Sequence, residues 1–251
     1  MRLKDRVVIV TGGAQSIGRC YVRRLASEGA RVVIADIDIE GARSAAEEFS
    51  SADGQLLAVE ADVSDPESVR RLVQSTVNGF GRIDVLVNNA AVFSTLPPRP
   101  IEEIPVDEWD RVMAVNVRGV FLCCQAVIPQ MRRQGKGKII NIASGTILSG
   151  KTNMLHYVTS KGAVFALTRA LSREVGGQGI TVNTLAPGLT ATEAVRRNTK
   201  PEELTWTRQL RAIQRDEAPE DLEGTIVFLA SDDSDFITGQ MIVVNGGAQF
   251  W

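Results

Sequence analysis

The sequence predicts an α/β fold in three layers: a seven-stranded, mostly parallel sheet, doubly wound, with helices on both faces. Three observations predict it. Short β-branched or apolar runs alternate with segments of helical periodicity along the chain. The runs read as strands covered on both faces. A glycine-rich turn stands between the first strand and the first helix, where such folds bind ligands.

In order, strands are predicted at Val7–Val10, Arg31–Asp36, Leu56–Val59, Val85–Val87, Lys138–Ile142, Ile180–Leu185 and Met241–Val244, each a short β-branched or apolar run. Helical periodicity fills most of the gaps, over Ile17–Glu28, Glu40–Phe49, Pro66–Asn78, Val106–Arg133, Leu155–Val175 and Leu222–Ala230. No linker, repeat or low-complexity stretch divides residues 1–251, so one domain is expected. Two irregular stretches stand out: the proline-rich Phe93–Pro105 and the long polar Gly188–Ala218. Loops at the carboxyl ends of strands hold ligands in open α/β sheets, so both are candidate substrate walls, with 188–218 as the substrate loop.

Composition excludes several function classes. The chain is 44% hydrophobic and 23% charged, with 28 basic against 30 acidic residues and a net charge of -2. Without a basic block, neither nucleic acid nor an anionic membrane is expected as a partner. No apolar run is read as a membrane span, and Met1–Asp5 leads directly into the first strand without signal-peptide zones, so a cytoplasmic location is expected. Cys20, Cys123 and Cys124 form no CxxC, and buried free thiols are expected. With His156 as the one histidine and no clustered carboxylates, no catalytic metal is expected.

The chemistry centres on Tyr157-Val158-Thr159-Ser160-Lys161. Residues four apart share a helix face, so a phenol and an ammonium can reach one reacting group. A fixed cation favours the phenolate, and Lys161 is therefore expected to lower the Tyr157 pKa and ready it for proton transfer. His156 lies next to Tyr157 and must leave the helix elsewhere, which argues for packing or pocket lining and against a serine-hydrolase pair with Ser144.

Thr11-Gly12-Gly13-Ala14-Gln15-Ser16-Ile17-Gly18 follows the first strand. Here the backbone must turn sharply and present its amides and the positive helix end to a pyrophosphate. Asp36 ends the second strand 18 positions past Gly18, where a carboxylate accepts from the ribose hydroxyls and repels a 2'-phosphate. Positions 15 and 37 hold Gln15 and Ile37 rather than an arginine that would neutralise such a phosphate, so the expected cofactor is NAD.

Further motifs fall at the carboxyl ends of successive strands: Asp62-Val63, then Asn88-Asn89-Ala90, Asn116 within the next helix, Ser144, and Pro187-Gly188. With this set in order from Thr11 to Gly247, the chain resembles the short-chain dehydrogenase/reductase family, classical type. The resemblance implies a Rossmann fold and an NAD-dependent oxidoreductase that interconverts a small-molecule alcohol and ketone. It implies Tyr157 as general acid/base, and Lys161 lowering its pKa and bonding the nicotinamide ribose. Ser144 would hold the substrate oxygen, and Asn116 would support a relay water. Asp62 and Val63 would touch the adenine, Asn89 and Ala90 the adenosine side, and Thr190 and Thr192 the carboxamide. Gly12, Gln15, Ser16, Ile17, Gly18, Asp36, Ile37, Pro187 and Gly188 complete the expected cofactor contacts.

Two positions depart from the family pattern. Ser16 stands where a glycine is common in the turn, and its hydroxyl is expected to donate to phosphate. Ala91 stands where NNAG ends in glycine, which is tolerable at negative φ. Leu148, Met154, Val92, Phe93 and Trp206, with Ser144 and Tyr157, are the expected substrate wall, an apolar set that suits a neutral secondary alcohol or ketone, cyclic or aromatic.

The alternative is a 3-oxoacyl-[acyl-carrier-protein] reductase, which the Val244-Asn245-Gly246-Gly247 ending resembles. Arg132, Arg133, Lys136, Lys138 and Arg173 would then meet an acidic carrier protein. A non-catalytic dinucleotide-binding sensor is a further alternative, disfavoured because Asn116, Ser144, Tyr157 and Lys161 are all present. The resemblance, with the apolar long helices and the aromatic ending Phe250-Trp251, implies a homotetramer.

Overall fold

The computed structural model describes residues 1–50 and 55–250. Trp251, part of the aromatic ending, lies outside the described residues. The strands are β1 (Val7–Thr11), β2 (Arg31–Asp36), β3 (Leu56–Glu60), β4 (Val85–Asn88), β5 (Gly137–Ile142), β6 (Ile180–Pro187) and β7 (Met241–Val244). They form one sheet in the order β3-β2-β1-β4-β5-β6-β7, every pair parallel. Parallel neighbours need crossovers, and the helices supply them.

The helices are α1 (Ser16–Ser27), α2 (Ile39–Phe49), α3 (Pro66–Phe80), α4 (Val106–Met113), α5 (Gly119–Gln134), α6 (Thr146–Ser149), α7 (Leu155–Val175), α8 (Glu193–Asn198), α9 (Pro201–Leu210) and α10 (Glu223–Ala230). Local sequence explains several boundaries. Asp65 caps α3 by accepting from the Glu67 and Ser68 amides, with Pro66 in the first turn, and Gly81 ends it at a φ of 76°. Asp38 caps α2 through the Gly41 amide.

Alternate residues of each central strand feed opposite layers. Val8, Val10, Val32 and Ile34 pack with Tyr21, Leu25 and Ile226 of α1 and α10. Ile9, Val33 and Leu86 pack with Leu72, Val127 and Val164 of α3, α5 and α7. With both faces apolar, a one-residue register slip would exchange the two sets, so packing pins the register.

Three differences from expectation have physical reasons. The polar stretch 188–218 holds α8 and α9, and α9 buries none of its residues, so it carries no core-facing stripe to read. The long helix is broken by a π-turn over Ala114–Arg118, centred on Asn116. Finally, Val106–Gln134 spans 29 residues at a mean hydropathy of 1.6, long and apolar enough by composition to cross a membrane. That corrects the expectation of no such segment; in this fold Val120, Cys123, Val127 and Met131 lie in the core beneath the sheet.

Candidate active site

The carboxyl ends of β1 to β6 form one edge, and the order reverses between β1 and β4, where open α/β sheets bind ligands. At this edge the first turn fits a dinucleotide phosphate. Gly12 takes a φ of 65°, and a Cβ on Gly18 would lie 2.0 Å from the Gly12 carbonyl oxygen. Only glycine permits that approach of α1 to the turn. Ser16 holds the left-handed region at φ 55°, the conformation a glycine would adopt without strain, and Gln15 and Ser16 are both exposed. Ala91 has no positive φ, so its methyl is accommodated.

Asp36 is buried at the end of β2, and backbone amides fix both its oxygens: Ala14 donates to Oδ2 at 3.0 Å and Asp38 to Oδ1 at 3.1 Å. Ile37 beside it is 72% exposed, and Ile17 packs onto the core below. Asp62 is exposed and accepts from the Ser64 amide and hydroxyl, whereas Val63 is buried against Gly119. The Asn89 amide faces inward, donating at 3.0 Å to the Thr11 and Gly12 carbonyls, and the Thr11 hydroxyl accepts from the Asn89 and Ala90 amides. Asn89 and Thr11 therefore brace the phosphate turn.

Helix α7 carries Tyr157 and Lys161 on its buried face. Burial pushes the Tyr157 phenol up to about 12, partly opposed by its hydrogen bond with Ser144. Burial pulls Lys161 down to about 8. The Lys161 ammonium lies 5.8 Å from the centroid of the Tyr157 ring and donates to the Ile142 carbonyl at 2.8 Å. The phenol thus stands above its ordinary value where a lysine-lowered one was expected, because desolvation of the phenolate is the largest cause. Ser144 lies just past β5, its hydroxyl oxygen accepting from the Thr146 amide.

Asn116 sits in the π-turn and its side chain bonds within the protein. Its Oδ1 accepts from the Val92 amide at 2.8 Å, and its Nδ2 donates to the Val92 carbonyl and to Ser160 Oγ. The side chain ties the loop after β4 to α7, one turn from Tyr157.

Phe93 stacks on Tyr157 at 4.7 Å between centroids, and Met154, Leu96 and Val112 complete this small apolar cluster with Val92 alongside. Leu148 is half-buried in α6, while Trp206 is 60% exposed on α9. His156 is fully buried with Nε2 3.3 Å from Glu108, consistent with packing. Pro187 closes β6 and accepts from the Gly145 amide, joining the Ser144 turn to Gly188. Thr192 caps α8, and Thr190 is tied to Glu217. Among the described residues no group of three or more His, Cys, Asp or Glu could hold a metal.

Three of the basic residues considered for a carrier protein have partners within the chain. Lys138 is buried against Asp235, Lys136 pairs with Asp232 and Asp235, and Arg132 donates to Gln178. Lys136 and Lys138 also flank the amino end of β5, whereas Ser144 follows its carboxyl end.

Sequence reasoning missed Thr11, Ser160, Arg211 and Glu217. Ser160 lies inside the Tyr157–Lys161 motif and could have been flagged by its place one turn from Tyr157. Arg211 and Glu217 lie in the polar stretch, where no local pattern marks them.

A buried phenol, hydroxyl and ammonium at the edge of a doubly wound sheet, beside a glycine turn shaped for phosphate, define an oxidoreductase of the Rossmann class. Known proteins narrow this. A family model described as "Enoyl-(Acyl carrier protein) reductase" matches residues 12–249. A (2S)-[(R)-hydroxy(phenyl)methyl]succinyl-CoA dehydrogenase subunit of Thauera aromatica is 40% identical over 98% of this chain and 98% of its own length. The 3-oxoacyl-[acyl-carrier-protein] reductase of Thermotoga maritima is 36% identical over 98% and 99%. The crystal structure of levodione reductase superposes with a TM-score of 0.93 at 33% identity, covering 98% of both chains. The chain belongs to the short-chain dehydrogenase/reductase family, and membership implies a nicotinamide dinucleotide as cofactor.

Proposed function

We propose that this chain uses NAD(H) to interconvert a neutral secondary alcohol and its ketone, with Tyr157 as general acid/base. The observation that carries the reading is the buried grouping of Tyr157, Ser144 and Lys161, with Phe93 stacked on the phenol ring. When bound, the nicotinamide dinucleotide supplies the hydride donor or acceptor. In reduction, Tyr157 Oη delivers a proton to the carbonyl oxygen, and burial keeps that phenol loaded near neutrality. Ser144 Oγ holds the same oxygen and polarises it. In oxidation, Tyr157 receives the hydroxyl proton, and the Lys161 ammonium favours the phenolate that must form first.

NAD over NADP is supported by Asp36, whose buried carboxylate is fixed by two backbone amides and repels a 2'-phosphate, with Gln15 and Ile37 rather than arginine at the neighbouring positions. The Phe93, Met154 and Leu96 cluster supports an apolar substrate, and a relative named for a hydroxy(phenyl)methyl compound is compatible with an aromatic alcohol. Steady-state rates with NAD and NADP across neutral, acidic and acyl-thioester ketones test the reading. A charged sugar acid turning over far faster than any neutral alcohol would overturn it.

A second reading, 3-oxoacyl-[acyl-carrier-protein] reductase, is favoured by the Thermotoga maritima relative. The pairing of Lys136 and Lys138 with acidic residues weighs against it. We further propose a cytoplasmic location and a homotetramer, the assembly being supported by an open groove over α4, α5 and α7 in which Ala114, Val117, Phe121 and Leu167 lie beside Asp110, Arg111 and Arg118. None of its lining residues belongs to the site. A monomeric mass in light scattering would reject the assembly.

A further inference from the structure

The segment 188–218 leaves β6, and its far end returns to pair with its beginning. Thr190 and Glu217 form an isolated parallel bridge, and the Ala191 amide donates to the Glu217 carbonyl at 2.7 Å. The side chains repeat the link, Thr190 Oγ1 donating to Glu217 Oε1 at 2.8 Å. Arg211 adds a second tie. Its guanidinium donates to the Leu189 and Arg215 carbonyls, both at 2.8 Å, and lies 3.6 Å from Glu217 Oε2. Thr190, Arg211 and Glu217 are at most 4% exposed.

A buried ion pair is a poor device for stability, because desolvating two charges offsets most of their attraction. This one instead sets geometry. A Cβ on Gly188 would fall 2.5 Å from Glu217 Oε2, so the carboxylate occupies the space beside the turn. The Thr190 hydroxyl gives its one proton to that carboxylate, which leaves only lone pairs to offer a ligand, an acceptor suited to an amide N–H. Glu217 also reaches α1 electrostatically: the Tyr21 hydroxyl, buried without a hydrogen-bond partner, is raised in pKa by burial and by this charge. Helix α1 begins at the phosphate turn.

We propose that Glu217, held by Arg211, is a positioning residue that fixes Thr190 and the 188–192 turn as the rest for the nicotinamide end of the cofactor. This rests on the dinucleotide reading above. The cofactor-binding contacts are Thr190's; Glu217 acts through it.

The test measures dissociation constants by fluorescence or calorimetry for the reduced dinucleotide that the wild type binds and for ADP-ribose, which lacks the nicotinamide ring. Glu217→Ala and Thr190→Val should each weaken dinucleotide binding about tenfold, and the double variant no further than Glu217→Ala alone, because both remove one hydrogen bond to a charged group. Thr190→Ser, which keeps the hydroxyl, should bind as wild type, and ADP-ribose affinity should change less than about twofold throughout. Should Glu217→Ala not fold, Thr190→Val and Thr190→Ser probe the same hydrogen bond with the ion pair intact. Wild-type binding of the dinucleotide with no loss in Glu217→Ala or Thr190→Val, or parallel loss of ADP-ribose, overturns the proposal alone. A wild type that binds neither NADH nor NADPH overturns it together with the dinucleotide reading.

Discussion

Lys161 lies 5.8 Å from the centre of the Tyr157 ring with its ammonium bonded to the Ile142 carbonyl, and both side chains are buried. The two titrations are displaced in opposite senses, the phenol up to about 12 and the ammonium down to about 8. The pair therefore stands with its proton on the phenol across the neutral range, the form that serves ketone reduction.

Tyr157→Phe removes the proton carrier and little else. Turnover should fall about a thousandfold, while the dissociation constant for NADH, read by fluorescence, stays within about twofold. Equal loss of both would give Tyr157 a structural part.

The direction of the reaction should depend on pH. Ketone reduction needs the phenol and should hold through neutrality, declining as pH rises towards about 12. Alcohol oxidation needs the phenolate and should climb through the alkaline range. A rate profile that is flat from about pH 7 to about pH 10 in the oxidising direction would contradict the buried phenol.

Stability carries the same signature. The Tyr157 pKa is raised on folding, so its contribution is full below about 10 and is lost as pH rises through about 12. The Lys161 pKa is lowered, so its contribution is present above about 10.5 and is lost as pH falls through about 8. Lys161→Met removes the second effect. Between about pH 10 and about pH 7 the wild type should lose on the order of 3 kcal/mol relative to this variant in chemical denaturation, while the variant is inactive.

Asn116 should matter to folding as much as to rate. Asn116→Ala orphans the Val92 amide and carbonyl inside the protein, and a loss of about 2 to 4 kcal/mol is expected in urea titration. A variant as stable as wild type but slow would favour the relay role instead.

Ser16 carries a left-handed backbone that a β-carbon resists by about 1 kcal/mol. Ser16→Gly should raise the melting temperature by a few degrees. If the serine hydroxyl donates to phosphate, the same change should weaken NADH binding several-fold; unchanged binding would reject donation.

Much of this was legible from one sequence because the signals were local. All seven strands are where β-branched runs predict them, and Leu155–Val175 has the predicted bounds, since burial on two faces leaves long apolar patterns. The order of the site residues was equally plain. What escaped were the partners of polar groups: that Asn116 holds Val92, that Asn89 braces Gly12, and that Glu217 answers Thr190 across 27 positions. The phenol's displacement escaped for the same reason, because desolvation is set by Phe93, Met154 and their neighbours and not by the residue four places along.

The sheet order also governs how the molecule is made. β1 lies inside the sheet between β2 and β4, and β4 arrives more than seventy residues later on the chain. No hairpin can form early, and Ile9 keeps an unpaired edge until Leu86 has been synthesised. Recovery from denaturant should accordingly be slow and sensitive to protein concentration, with aggregation competing during the wait for that closing strand.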